Sequence, residues 1–117
     1  MIAIVDDDRS IQRALKDLME SAGLTAQSFG SAEEFLESDL RNQTGCLVAD
    51  VRMPGMSGLE LQAKLKAEGS RIPIIFITAH ADAKMKLQAI KAGAVEFLFK
   101  PFDDEVLLMK IRAALEA

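Results

Sequence analysis

The sequence predicts an α/β domain built on a doubly wound, five-stranded parallel sheet in the order 2-1-3-4-5. Short apolar runs alternate five times with stretches of helical periodicity, the pattern of repeated strand–helix units. The runs at 2–5, 46–49 and 74–77 are apolar throughout, as strands buried on both faces must be. The runs at 24–29 and 95–99 carry Thr25, Gln27, Ser28 and Glu96, which assigns them to the sheet edges. The 117 residues suffice for one domain, spanning 1–117, with a real core. Right-handed crossovers then leave the stated strand order.

Each element has its own local justification. Ile2–Val5 opens the chain as the first strand. Ile11, Ala14, Leu15, Leu18, Met19 and Ala22 recur at helical spacing, and Gly23 closes that helix. Leu24 to Phe29 reads as the second strand. Ser31-Ala32-Glu33-Glu34 is a capping-box pattern that starts a helix carrying Phe35 and Leu36. Gly45 precedes the third strand, Cys46 to Ala49. Ser57-Gly58-Leu59-Glu60 is a second capping box, opening a helix with Leu61 and Leu65 that stops near Gly69. Ile74 to Ile77 is the fourth strand. Asp82 can cap a helix holding Leu87 and Ile90, ended by Gly93. Val95 to Phe99 is the fifth strand. The last helix follows Lys100-Pro101 and carries Leu107, Ile111, Ala114 and Leu115.

Composition narrows the function classes. Lys and Arg number 14 against 18 Asp and Glu, a formal charge of -4, so the domain is not expected to hold nucleic acid by bulk electrostatics. No apolar run approaches the roughly 18 residues that span a bilayer, and the first residues lack a signal peptide's basic region and cleavage site. One cysteine, Cys46, and one histidine, His80, allow neither an internal disulfide nor a site built of paired imidazoles or thiolates. Cys46 sits in an apolar run and is expected in the core. These features lead to the expectation of a cytoplasmic domain.

The 2-1-3-4-5 order is the flavodoxin-like arrangement, whose ligand crevice lies at the carboxyl ends of the strands, between strands one and three. The residues at those ends carry chemistry. Strand one ends in Asp6-Asp7-Asp8, strand three in Asp50, strand four in Thr78-Ala79 and strand five in Lys100-Pro101. Gathered carboxylates repel one another unless a cation or a proton intervenes. Mg²⁺ prefers such oxygen ligands, one or two carboxylates with waters and a phosphate. An aspartate nucleophile, Mg²⁺, a lysine and a hydroxyl donor together suit phosphoryl transfer to a carboxylate. Taken singly, each residue has a plainer reading: a solvated turn with a helix cap for 6–8, a turn cap for Asp50, a strand residue for Thr78, a surface lysine for Lys100. Their joint placement at four strand ends favours the functional one.

Val5-Asp6-Asp7-Asp8, Asp50-Val51-Arg52-Met53-Pro54-Gly55-Met56-Ser57-Gly58, Ile77-Thr78-Ala79 and Phe97-Leu98-Phe99-Lys100-Pro101-Phe102 together resemble the receiver domain of bacterial two-component response regulators over essentially the whole chain. The wording from Asp50 to Leu61, with Ile77-Thr78-Ala79-His80 and Ala92-Gly93-Ala94-Val95-Glu96-Phe97, looks most like the nitrogen-fixation (FixJ-like) branch. The resemblance implies that Asp50 accepts a phosphoryl group from a sensor histidine kinase or a small phosphodonor. It implies Mg²⁺ held by Asp7, Asp50 and the backbone carbonyl of Arg52, with Asp6 acting through water. Thr78 and Lys100 would engage the phosphoryl group, small Ala79 would leave it accessible, and Phe97 would occupy an aromatic switch position. Arg52 and His80, each two residues beyond Asp50 or Thr78 at positions the family varies, would either tune the lifetime of the phosphorylated state or be solvent-facing loop residues. A cis Lys100-Pro101 bond and homodimerisation through helix four, strand five and helix five are implied as well. So is a transcriptional output elsewhere in a longer protein, the chain itself being either a stand-alone receiver or a piece of one.

Two other function classes compete. Asp6-x-Asp8 after a first strand also suits a small Mg²⁺-dependent phosphohydrolase, which would leave Asp50 without a role and lacks room for a cap. A receiver-like module that binds partners without phosphorylation would not need Asp6, Asp7, Asp50, Thr78 and Lys100 together. Self-phosphorylation and self-dephosphorylation are the only catalysis expected of a receiver.

Overall fold

The computed structural model describes residues 1–79 and 82–116. Its elements are β1 Ile2–Val5, α1 Arg9–Ser21, β2 Ala26–Phe29, α2 Ala32–Glu37, a 3-10 segment Asp39–Gln43, β3 Cys46–Asp50, α3 Gly58–Ala67, β4 Ile74–Thr78, α4 Ala83–Lys91, β5 Glu96–Phe99 and α5 Asp104–Glu116. The sheet runs β2-β1-β3-β4-β5, all parallel, as the polarity of the strands requires. Ile2 lies opposite Ala26 and Cys46, and Asp50 opposite Ile77, so the strands end level along one rim.

Alternate side chains sort into two core layers, as a period of two dictates. Ile2, Ile4, Cys46, Val48, Ile75 and Ile77 point toward α1 and α5, where they meet Leu15, Met19, Leu107 and Ile111. Ala3, Val5, Leu47, Ala49 and Phe76 point the other way, toward Phe35 of α2, Leu61 and Leu65 of α3 and Ala89 of α4. Cys46 is fully buried, and burial pushes its thiol up to about 11.

The helix starts follow the expected chemistry. Asp8 caps α1 by accepting from the Ser10 and Ile11 amides, and Asp82 caps α4 through Lys84 and Met85. Ser57 and Glu60 form a complete capping box on α3. At α2 only half of the box forms. Ser31 accepts from the Glu34 amide, but the Glu34 carboxylate reaches back one residue further, to the Gly30 amide at 3.1 Å.

Two strand starts are corrected. β2 starts at Ala26, not Leu24, because the Leu24 amide closes α1 by donating to the Met19 carbonyl. β5 starts at Glu96 rather than Val95. The inward face of α4 is Met85 and Ala89, one turn apart, so Leu87 and Ile90 stand 55% and 40% exposed. Ala14 and Leu115 are likewise on the surface.

Candidate functional site

The sheet register delivers the rim residues to one crevice. β1 and β3 are neighbours, so Asp6 and Asp7, just past β1, face Asp50 at the end of β3. One carboxylate oxygen of each lies within 4.8 Å of the others. Lys100, just past β5, extends its ammonium across the crevice to 3.6 Å from Asp6 Oδ2 and 3.8 Å from Asp50 Oδ2. Its amide donates to the Thr78 carbonyl at 2.7 Å, which fixes the end of β5 against β4. The Lys100-Pro101 bond is cis, as the resemblance implies.

Burial divides the carboxylates by role. The Asp6 side chain is 1% exposed, that of Asp50 14%, and Asp7 is open to solvent. Asp6 Oδ1 accepts from the Asp8 amide at 2.9 Å, while buried Oδ2 has no hydrogen-bond donor. Burial raises the Asp6 pKa, with added repulsion from Asp50 and Asp7, against the opposing pull of the Asp8 amide and Lys100. The Gln12 amide from α1 donates to the Asp6 backbone carbonyl at 2.6 Å and steadies the strand end from behind. Asp50 Oδ1 accepts from the Arg52 amide at 3.2 Å, which turns the chain away from β3.

A divalent cation fits this donor set. Three carboxylates converge, one offering a buried oxygen without a hydrogen-bond donor among the described residues, and the Lys100 ammonium opposes them.

Of the residues singled out in the sequence, Asp6, Asp7, Asp50 and Lys100 meet directly. Thr78 is buried at the adjoining end of β4, with exposed Ala79 beside it. The Arg52 side chain is exposed, and His80 lies outside the described residues. Phe97 is in the core, its ring 6.0 Å from Phe76 and 5.3 Å from Phe99 by centroid. Met53 is buried and Met56 packs on the same core layer. The sequence reading missed Gln12 and Glu33, which bond to backbone at and beside the crevice.

A doubly wound 2-1-3-4-5 sheet with an acidic crevice at its switch point and a lysine across it is the architecture of a receiver domain. The family model for the response regulator receiver domain matches residues 2–112, and the chain belongs to that family. It is 53% identical over 116 residues to the response regulator protein TodT of Pseudomonas putida, covering 99% of this chain and 51% of that protein. It is 42% identical over 114 residues to the transcriptional regulatory protein FixJ of Azorhizobium caulinodans, covering 97% of this chain and 54% of that one. The chain thus spans about half the length of the curated relatives it matches. Among solved structures, the response regulator StyR superposes with a TM-score of 0.90 at 50% identity, covering 98% of this chain and 58% of that one. The crystal structure of FixJ-N gives 0.88 at 40% identity, covering 98% and 92%. Among the described residues no helix is long and apolar enough to cross a membrane.

Proposed function

We propose that this domain, working in the cytoplasm, takes a phosphoryl group from a sensor histidine kinase onto Asp50 and uses it to control an output, transcription. The observation that carries this reading is the Asp50 carboxylate at the end of central β3, partly open to solvent and facing Asp6, Asp7 and Lys100. A carboxylate oxygen of Asp50 attacks phosphorus. The P–N bond of the donor phosphohistidine breaks, and its electron pair stays on the imidazole. Lys100 can pass from the Asp50 carboxylate to the new phosphoryl oxygens, and the Thr78 hydroxyl can donate to them from the next strand. Asp6, Asp7 and Asp50, with the Arg52 carbonyl, would hold Mg²⁺. When bound, Mg²⁺ supplies positive charge against the phosphoryl oxygens. The chain's own residues do the rest: they place the nucleophile, hold a compensating cation and leave Ala79 as a small neighbour.

Intact mass after incubation with acetyl phosphate and Mg²⁺ tests the reading. A single phosphoryl adduct supports it. Continuous turnover of the donor without an adduct would indicate a phosphohydrolase, and no reaction a partner-binding module.

Cation binding should also be visible as stability. Ligand at ten- to a hundredfold over its Kd adds roughly 1–3 kcal/mol, or a Tm rise of about 5–10 °C for a domain of this size. Melts with and without Mg²⁺ should show that rise in the parent and little of it in Asp7→Ala. An equal rise in both would remove Asp7 from the cation site.

The exposed Leu87 and Ile90 of α4 lie beside β5, where Glu96 pairs with Lys110 of α5 at 3.3 Å. This face is where phosphorylated copies are proposed to associate. Sedimentation with beryllofluoride as phosphoryl mimic should convert monomer to dimer. A monomer unchanged at high concentration rejects self-association of this domain.

A further inference from the structure

The loop from Val51 to Ser57 carries Asp50's immediate successors and is tied at both ends. The Arg52 amide bonds to Asp50 Oδ1, and the Gly58 amide donates to the Val51 carbonyl at 2.9 Å. Its middle is held from a different element. Glu33, in the first turn of α2, accepts the Met56 amide on Oε2 at 3.3 Å. The same oxygen lies so close over Gly55 that a Cβ there would stand 2.5 Å from it, and Gly55 has φ +76°, so only glycine brings the backbone under the carboxylate. Besides this bond, Glu33 adds negative charge to the first turn of α2. It is solvent-exposed, and the capping of α2 is done by Ser31 and by Glu34, whose carboxylate takes the Gly30 amide.

We propose that Glu33 is a positioning residue for the phosphorylation site: its carboxylate holds the β3–α3 loop so that Asp50 and the Arg52 backbone are set for a divalent cation before it arrives. The proposal rests on the function proposed above. Partners that orient a ligand from outside the metal's own shell typically set affinity by about 10- to 100-fold. Glu33 acts through four residues of backbone, which places its effect near the lower end.

The test is Mg²⁺ titration of the parent, Glu33→Ala and Glu33→Gln by calorimetry, with amide hydrogen exchange at Met56 in the metal-free proteins. Glu33→Ala should bind Mg²⁺ about tenfold more weakly and exchange faster at Met56. Glu33→Gln, whose Oε1 can accept the same amide, should stay within about threefold of the parent. A Kd for Glu33→Ala within about twofold of the parent overturns the proposal, whatever its melting temperature. Glu33→Gln as weak as Glu33→Ala overturns it too, because long-range charge rather than the hydrogen bond would then be responsible. Both outcomes leave the phosphoacceptor reading standing. A parent that binds no Mg²⁺ overturns both.

Discussion

Asp50→Ala and Asp50→Asn are expected to take up no phosphoryl group, with labelling by acetyl phosphate and Mg²⁺ reduced by at least about a hundredfold. Asp6 is sealed from solvent, with its one free oxygen facing Lys100. Loss of labelling would not stem from unfolding, because removing one of three mutually repelling carboxylates relieves charge at the rim. Lys100 keeps its 3.6 Å contact with Asp6. The metal-free variants should therefore melt no lower than about 2 °C below the parent. Intact mass and peptide mapping after trapping of the acyl phosphate read the outcome. Labelling of Asp50→Asn at the parental rate would place the phosphoacceptor elsewhere.

Gly58→Ala should produce the largest stability loss of any Gly→Ala change in the chain. A Cβ at Gly58 would lie 2.2 Å from the Asp50 carbonyl oxygen, 3.0 Å from the Val51 Cα and 3.0 Å from Phe76 Cε1. Two of these three neighbours are backbone, which cannot swing aside as a side-chain tip does. Relief would require α3 to back away from β3 at Asp50, the proposed phosphoacceptor. A clash of this kind costs about 3 kcal/mol, a Tm lower by roughly 10–15 °C for a domain of this size. Gly69→Ala is the control. Gly69 has φ +77° but open space around it, so the variant should lose only the backbone strain, about 1–2 kcal/mol. Equal melting of the two variants would mean that α3 does not approach β3 this closely. Because the clash is with Asp50's own carbonyl, surviving Gly58→Ala protein should also label more slowly than Gly69→Ala.

Strand order and rim were legible because both follow from local chemistry. Polarity alone separates Gln27 and Ser28 of an edge strand from the unbroken Ile74–Ile77 run. Once that order stands, Asp6, Asp50, Thr78 and Lys100 have to meet at strand ends. Where the reading failed, tertiary packing chose among locally equivalent options. Leu87 and Ile90 mark α4 as a helix without saying which face turns inward, and the short helix is turned so that the smaller Ala89 fills the space against the sheet. Leu24 is as apolar as a strand residue, yet its amide is committed to ending α1. The 3-10 segment Asp39–Gln43 has only Leu40 packed on the core and so no apolar period to reveal it. Gln12 and Glu33 were invisible for a different reason. A side chain that bonds to distant backbone has no spacing rule, because its partner is set by how α1 and α2 pack.

The burial of Cys46 provides a built-in clock for opening of the sheet. The chain has no tryptophan or tyrosine to report unfolding optically, and this is its one thiol. It sits in central β3, four residues before Asp50, with its pKa near 11. At pH 8 about one native thiol in a thousand is ionised, and even that fraction is walled off by α1 and α5. Alkylation in native buffer therefore counts excursions in which the centre of the sheet is exposed, and its rate follows their population. Because the thiol lies on the α1–α5 side, away from the crevice, the same label can time these excursions with the rim empty, cation-bound or phosphorylated.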